Sequence, residues 1–178
     1  MSSILNLVKY LSSRYVDKNS IILDATCGNG YDTLFFAPNV KKIYAFDIQK
    51  KAIDNAKDRT KDFNNIEYIL DGHQNIDKYI SQELDLVIFN LGYLPNSDKK
   101  ITTHFKTTKT AFEKSLELLN RKKAIIITLY PGTTIGKEES DNLITYLEKI
   151  DKNRADIFIH KLINKPNNPP FICEIIKR

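Results

Sequence analysis

Short apolar runs alternate with segments of helical periodicity along the whole chain. Apolar residues near the start recur at helical spacing, which predicts an amphipathic helix over residues 2–16; they are Ile4, Leu5, Leu7, Val8 and Leu11. Strands are then predicted over 20–24, 42–46, 66–70, 84–90, 123–130, 155–161 and 170–176. Helices are predicted between them over 31–37, 50–62, 74–80, 107–120 and 137–151.

This alternation predicts an α/β fold, a mostly parallel seven-stranded sheet with helices on both faces. Only residues 164–170 separate the last two predicted strands. That segment is too short for a parallel crossover and long enough for a reversal, so the last strand is expected to be antiparallel. We expect residues 1–178 to form a single domain.

Composition restricts the function classes only coarsely. Hydrophobic residues make up 42% and charged residues 28% of the chain, as in ordinary globular proteins. No apolar run approaches the roughly 20 residues that span a bilayer, and the start of the chain has no signal-peptide pattern. Cys27 and Cys173 lie too far apart for a disulfide framework or a metal site, so a reducing cytoplasm is expected. The net charge of +5 leaves a polyanionic partner open.

A glycine turn after the first strand is the strongest chemical signal. Gly28 and Gly30 follow the strand-end acid Asp24, and the next strand ends in Asp47. A glycine turn that opens a helix, followed by a strand-end carboxylate, is typical of nucleoside-binding α/β sheets. Asp24 is interpreted as a brace of this turn, or as a cap or acceptor for the Gly28 and Asn29 amides. Asp47 either accepts the ribose hydroxyls or caps the next helix.

The nucleoside cofactor is further indicated by what the turn lacks. Thr33 occupies the place of the third glycine of a dinucleotide fingerprint, which argues against NAD. The remaining Asp-x-x-x-Gly-x-Gly resembles motif I of the class I S-adenosylmethionine-dependent methyltransferases, a Rossmann-like family with an antiparallel last strand. The resemblance implies S-adenosyl-L-methionine as cofactor. It implies cofactor contacts from Asp24, Cys27, Gly28, Asn29, Gly30, Asp32, Thr33, Asp47, Gln49, Gly72, His73 and Asn90.

His73 departs from that family's pattern. Many members carry an acid after the third strand, where it contacts the adenine amine, and this chain has Gly72 and His73 instead. A neutral imidazole must offer an acceptor nitrogen or stack on the base. The alternative is a partly exposed loop histidine.

The fourth predicted strand runs into Asn90-Leu91-Gly92-Tyr93. This segment resembles the Asn-Pro-Pro-Tyr motif of methyltransferases that act on amino nitrogens. The resemblance implies that the Asn90 side chain and the Leu91 carbonyl orient the target amine, while Tyr93 stacks on the base. The alternative is a tight turn with Asn90 as a cap and Tyr93 in the core. Neither cysteine lies in this segment, which argues against methylation at a pyrimidine carbon.

Further blocks resemble one small bacterial family long labelled as ribosomal-RNA methylases. They are Asp98-Lys99, residues 107–110, Leu129-Tyr130-Pro131-Gly132, Gly136-Lys137-Glu138-Glu139 and residues 167–171. Members include tRNA methyltransferases that convert wobble 5-aminomethyl-2-thiouridine to its 5-methylaminomethyl form. The resemblance thus implies tRNA as partner.

The substrate side of the site is predicted from charge and position. Lys99, Lys100, Lys106 and Lys109 form a basic cluster beside the expected mouth, and Lys99, Lys106 and Tyr130 are assigned to substrate binding. A second cluster, Arg121, Lys122 and Lys123, is interpreted as a solvated face. An rRNA or small-molecule amine methyltransferase, a non-catalytic RNA-binding protein and a nicotinamide oxidoreductase are the alternatives. Oligomeric state is left open, with a homodimer as one possibility.

Overall fold

The computed structural model describes residues 3–94 and 101–178. Its helices are α1 (Ser3–Ser13), α2 (Tyr31–Phe36), α3 (Lys50–Arg59), α4 (Phe105–Leu118) and α5 (Thr134–Leu147). Its strands are β1 (Ile21–Asp24), β2 (Lys42–Asp47), β3 (Ile66–Leu70), β4 (Leu84–Asn90), β5 (Leu119–Leu129), β6 (Ala155–His160) and β7 (Phe171–Lys177). Short 3₁₀ helices span Ala37–Asn39 and His73–Lys78.

The strands form one seven-stranded sheet in the order β3-β2-β1-β4-β5-β7-β6. Strands β1 to β5 pair in parallel, whereas β7 runs antiparallel to both of its neighbours, β5 and β6. The predicted fold class and the antiparallel last strand are therefore confirmed.

Alternate residues of the central strands enter two separate cores, because successive side chains of a strand point to opposite faces. On one face Ile22 and Ile126 pack with Val8 of α1 and Ile53 of α3. On the other face the core includes residues of β1, β4, α4 and α5; among them are Leu23, Val87, Phe112 and Leu143. Helices thus cover both faces, which explains the uninterrupted apolar runs 21–23 of β1, 86–89 of β4 and 124–127 of β5. Among the described helices, none has the length and apolar character needed to cross a bilayer.

The predictions were wrong at two places, the segment after β3 and the start of β5. The segment expected as a helix over 74–80 is the 3₁₀ helix His73–Lys78. The expected helix over 107–120 ends at Leu118, and β5 begins at the next residue, Leu119, instead of at 123. The start of β5 is irregular, because its register against β4 shifts and Lys122 adopts a φ of 64°.

Candidate active site

The site lies at the carboxyl ends of β1, β2 and β4, which meet at one edge of the sheet. Asp24 ends β1, Asp47 ends β2 and Asn90 ends β4. Ligands of such sheets bind at this edge, where the strand order reverses around the first strand. The structure therefore brings the three principal predicted positions together.

The glycine turn takes the conformation that its sequence requires. Gly28 and Gly30 have φ values of +52° and +77°, in the left-handed region that favours glycine. A Cβ on Gly30 would also lie 2.8 Å from Ala56 Cα, so the turn packs directly on α3. The Cys27 amide donates to the Phe46 carbonyl at 2.8 Å, which joins the turn to β2.

Asp47 joins this turn to the start of α3 through its two carboxylate oxygens. Its Oδ2 accepts from the Gly28 amide at 3.0 Å, and its Oδ1 accepts from the Gln49 amide at 2.8 Å. Gln49, and not Asp47, occupies the N-cap position of α3. Burial raises the pKa of Asp47, while these amide hydrogen bonds lower it. Each carboxylate oxygen has further lone pairs that could accept a ribose hydroxyl.

Asp24 is buried beneath the turn, with 2% of its surface exposed. Its Oδ2 accepts from the hydroxyl of the buried Thr33 at 2.6 Å. Burial, and next the nearby Asp32, raise the pKa of Asp24 to about 7. The Gly28 amide bonds to Asp47, so the interpretation of Asp24 as the acceptor for that amide is wrong.

Asp32 links the glycine turn to Asn90. Its Oδ2 accepts from the side-chain Nδ2 of Asn90 at 3.3 Å. The backbone amide of Asn90 donates to Thr26 Oγ1 at 2.6 Å. Burial raises the pKa of Asp32, while the Asn90 bond and the charge of Lys9 lower it. The side chain of Asn90 is therefore oriented by the segment expected to hold the cofactor. Thr26 was missed by sequence reasoning, although its position between Asp24 and Gly28 was a signal.

His73 lies in the interior, with 8% of its surface exposed, so the alternative of a partly exposed loop histidine is wrong. Its Nδ1 lies 3.2 Å from the Ala25 carbonyl oxygen, which accepts only, so Nδ1 carries the proton. Its Nε2 is then an acceptor, and it is buried without a partner among the described residues. Burial lowers the pKa of His73 and keeps the imidazole neutral. The neighbouring Gly72 donates its amide to Asp71 Oδ1 at 2.7 Å.

Two residues of the glycine turn, Asn29 and Cys27, make contacts within the protein. Asn29 accepts from Asn55 Nδ2 with its side-chain oxygen at 2.8 Å, and from Arg59 Nε with its carbonyl at 2.7 Å. Cys27 is buried, with Sγ 3.5 Å from the Gly28 carbonyl oxygen, and burial raises the pKa of its thiol. Cys173 is also buried and free. Neither thiol has the exposed, electropositive surroundings of a nucleophile.

The predicted substrate-side residues are distributed unevenly. Tyr130 follows β5 and is half-buried, and burial together with the Asp32 carboxylate raises its pKa to about 12. Tyr93 is 40% exposed, and its backbone pairs with Thr102. Lys106 is exposed in the first turn of α4. Lys99 and Lys100 lie outside the described residues.

A cavity lies beside Tyr130, whereas the second basic cluster lies at the opposite edge of the sheet. A cavity of about 600 Å³ begins beside Tyr130 and is lined by Pro131, Gly132, Thr133, Thr134, Lys137, Glu138, Asp141, Asn142 and Asn168. The second basic cluster, 121–123, lies at the start of β5, away from the carboxyl edge, and Lys123 donates to the Tyr15 carbonyl at 2.7 Å.

The residues present fit a cationic nucleoside cofactor such as S-adenosylmethionine. Three carboxyl groups, from Asp24, Asp32 and Asp47, surround the glycine turn and suit a positively charged ligand with ribose hydroxyls. Nε2 of His73, which has no partner in the part of the chain that the structure describes, offers a buried acceptor just after β3, as an adenine amine would require.

Comparison with known proteins agrees with this fit. The sequence model of a family described as "Putative rRNA methylase" matches residues 43–176. A curated protein of Arabidopsis thaliana, named tRNA (mnm(5)s(2)U34)-methyltransferase, chloroplastic, is 31% identical over 173 residues, 88% of this chain and 63% of its own length. The chain thus spans less than two thirds of the length of the first curated relatives it matches.

Solved structures extend the likeness over the whole chain. A crystal structure described as a "putative rRNA-methylase" from Clostridium thermocellum has a TM-score of 0.96 at 36% identity, covering 100% of this chain and 99% of that chain. A "putative methyltransferase" from Streptococcus mutans in complex with SAH has a TM-score of 0.93 at 36% identity and the same coverage. The chain therefore belongs to the family described as "Putative rRNA methylase", within the Rossmann-like S-adenosylmethionine-dependent methyltransferases.

Proposed function

We propose that this protein is an S-adenosylmethionine-dependent tRNA methyltransferase that N-methylates the 5-aminomethyl group of wobble 5-aminomethyl-2-thiouridine. The observation that carries the proposal is the orientation of Asn90. Its Nδ2 donates to Asp32, which turns Oδ1, the acceptor atom of the amide, away from that carboxylate. An acceptor fixed beside the cofactor turn suits an amine substrate. The name of the Arabidopsis thaliana relative supports the tRNA substrate.

The cofactor, when bound, supplies an electrophilic methyl group on a sulfonium. The chain's own task is to place the amine in line with it, and positioning accounts for much of such a rate enhancement. Asn90 Oδ1 and the Leu91 carbonyl accept hydrogen bonds from the two N–H groups of the neutral amine. Its lone pair therefore points toward the methyl group. Tyr93 stacks on the thiouracil ring, and Tyr130 lines the same pocket.

No covalent enzyme intermediate is part of this mechanism. A neutral alkylamine is already a good nucleophile, whereas methylation of a pyrimidine carbon normally requires a cysteine thiolate. Cys27 and Cys173 are both buried, and burial raises the pKa of each thiol. Their surroundings favour the amine over a ring carbon as the methyl acceptor.

Basic side chains at the mouth are assigned to the tRNA backbone. Lys106 is exposed at the start of α4, and the sequence places Lys99 and Lys100 between Tyr93 and that helix. Lysines in such a position neutralise phosphates and set the register of the RNA without reading its bases.

An rRNA substrate is the second candidate, and the description of the matching family favours it. Nucleoside mass spectrometry on a strain lacking the gene separates the two candidates. Under the proposal, 5-aminomethyl-2-thiouridine accumulates in tRNA and its methylated form disappears, while rRNA nucleosides stay the same. Unchanged tRNA nucleosides together with a missing rRNA methyl group would support the second candidate instead.

A further inference from the structure

A buried carboxylate on α5 lies outside the machinery described so far. Glu139 is 4% exposed, and both of its oxygens accept hydroxyl hydrogen bonds. Oε1 accepts from Thr108 of α4 at 2.8 Å, and Oε2 accepts from Thr103 at 2.6 Å. Buried carboxylates are rare and costly unless they are fully hydrogen-bonded. The two hydroxyls therefore stabilise Glu139 at this position.

Thr103 connects Glu139 to Gly92, in the segment that follows Asn90. Its Oγ1 accepts from the Gly92 amide at 2.8 Å while donating to Glu139. Its backbone amide donates to the Gly92 carbonyl at 3.0 Å, and the preceding Thr102 pairs with Tyr93. Gly92 is thus held on both sides by one threonine, which is in turn fixed by α5.

Gly92 has an unusual backbone conformation that depends on its hydrogen bonds with Thr103. Gly92 has a φ of +125°, and among the described residues beyond its two chain neighbours no atom lies within 4 Å of where a Cβ would stand. Within the described residues, the contacts that fix this conformation are the two hydrogen bonds between Gly92 and Thr103. The positions of the Leu91 carbonyl and the Tyr93 ring depend on the same short segment.

We propose that Glu139 is a positioning residue that acts through Thr103 to hold Gly92, and so sets where the Leu91 carbonyl and Tyr93 meet the substrate amine. This inference rests on the proposed function for the roles of Leu91 and Tyr93. Glu139 and Thr103 touch neither cofactor nor substrate in this account. They determine the geometry of the groups that do.

The chain offers a matched control, because Thr108 bonds to the same carboxylate, whereas the described side-chain hydrogen bond of Gly92 goes to Thr103. Thr103→Val replaces the hydroxyl with a methyl group of similar size. The Gly92 amide and Glu139 Oε2 then both lose their hydrogen-bond partner. Thr108→Val removes the same group from Oε1 alone. Thr103→Ser keeps the hydroxyl and removes only the methyl group. Glu139→Gln keeps the size of the side chain but removes its charge.

Steady-state kinetics on aminomethyl-bearing tRNA gives the first test. Thr103→Val is expected to lower kcat roughly 10- to 100-fold, since small misplacements of reacting groups have effects of that order. Glu139→Gln should change kcat in the same direction, Thr103→Ser should restore it, and Thr108→Val should leave it near the wild-type value. Cofactor affinity, measured by calorimetry with S-adenosylhomocysteine, should stay unchanged in all four. Equal losses of kcat in the two valine variants would overturn the positioning role.

Hydrogen exchange of the Gly92 amide gives a second readout that needs no substrate. Exchange should accelerate in Thr103→Val and stay slow in Thr108→Val. If the wild-type protein does not methylate this tRNA, the proposed function fails, but the exchange comparison, extended to Glu139→Gln, still decides whether Glu139 and Thr103 hold the segment. Unchanged exchange in Thr103→Val would contradict the inference whatever the substrate.

Discussion

The acidic side chains at the carboxyl edge have distinct hydrogen-bonding partners, so substitutions at them should have distinct effects. Asp47 holds the glycine turn through Gly28, Asp24 is buried against Thr33, and Asp32 bonds to Asn90. The positions of Asp24 and Asp47 at strand ends, and of Asp32 just after the glycine turn, were readable from the sequence. Their partners were not, because the pairs Asp47–Gly28 and Asp32–Asn90 join residues far apart in the chain.

Asp47→Ala should weaken S-adenosylhomocysteine binding by about 1–3 kcal/mol, because a charged acceptor for the ribose hydroxyls is lost. The Gly28 and Gln49 amides also lose their partner, so Asp47→Asn, which keeps one acceptor oxygen, should have a smaller effect. Calorimetry measures both. Asp54→Ala is the control, since Asp54 is exposed on α3 and pairs with Lys50. Unchanged affinity in Asp47→Ala would remove the ribose assignment.

Asp24 should make the stability of the ligand-free protein depend on pH. Burial raises its pKa to about 7, so the folded state binds this proton more tightly than the unfolded chain does. The stability contributed by the proton is complete below about pH 4, the ordinary carboxyl range, and is lost as pH rises toward the folded pKa. Asp24→Asn carries no such proton. Its urea-unfolding free energy relative to wild type should therefore rise between about pH 4 and about pH 7. Parallel curves would contradict this.

Most elements could be predicted closely from the sequence, but the segment after β3 and the start of β5 could not. Apolar runs bounded by turn residues defined β1, β2 and β4 well, because those strands are largely buried on both faces. The segment after β3 carries helical spacing but tightens into the 3₁₀ helix His73–Lys78. The passage from α4 into β5 has no loop and no turn residue, and the polar residues 120–123 conceal the strand start.

Lys122→Gly should stabilise the protein by about 1 kcal/mol, because its φ of 64° is strained for a side chain with a Cβ and free for glycine. The side chain is exposed, so little packing is lost. Chemical denaturation measures the change. Arg121→Gly is the matched control, since Arg121 is not among the positive-φ residues described and glycine in a strand is destabilising. Destabilisation by Lys122→Gly would show that this conformation is not strained.

On the scale of the whole molecule, the net charge of +5 becomes informative through its distribution. Lys106 lies near the carboxyl edge, whereas the cluster 121–123 lies at the start of β5. Replacing Lys99, Lys100 and Lys106 with alanine should weaken tRNA binding and flatten its dependence on salt, since fewer phosphates are neutralised. Replacing Arg121 and Lys122 should change neither. An unchanged salt slope in the first variant would place the RNA elsewhere.

The fold itself follows from the sequence at this scale, because alternating strands and helices leave few topologies open. The site followed in its outline, since parallel strands end at one edge. What could not be read was the network that joins its parts, such as Thr26 with Asn90 and Glu139 with Thr103. Those contacts depend on how distant segments pack, and no local pattern encodes them.

Methyl transfer by the purified protein to defined tRNAs tests the central claim most directly. With S-adenosylmethionine, tRNA carrying wobble 5-aminomethyl-2-thiouridine should gain one methyl group on the exocyclic nitrogen, and tRNA lacking the aminomethyl group should gain none. Asn90→Ala should lower kcat far more than cofactor affinity, because Asn90 orients the nucleophile and not the donor. Nucleoside mass spectrometry identifies the product. Equal activity on tRNA without the aminomethyl group, or a methyl group on a ring carbon, would contradict the account.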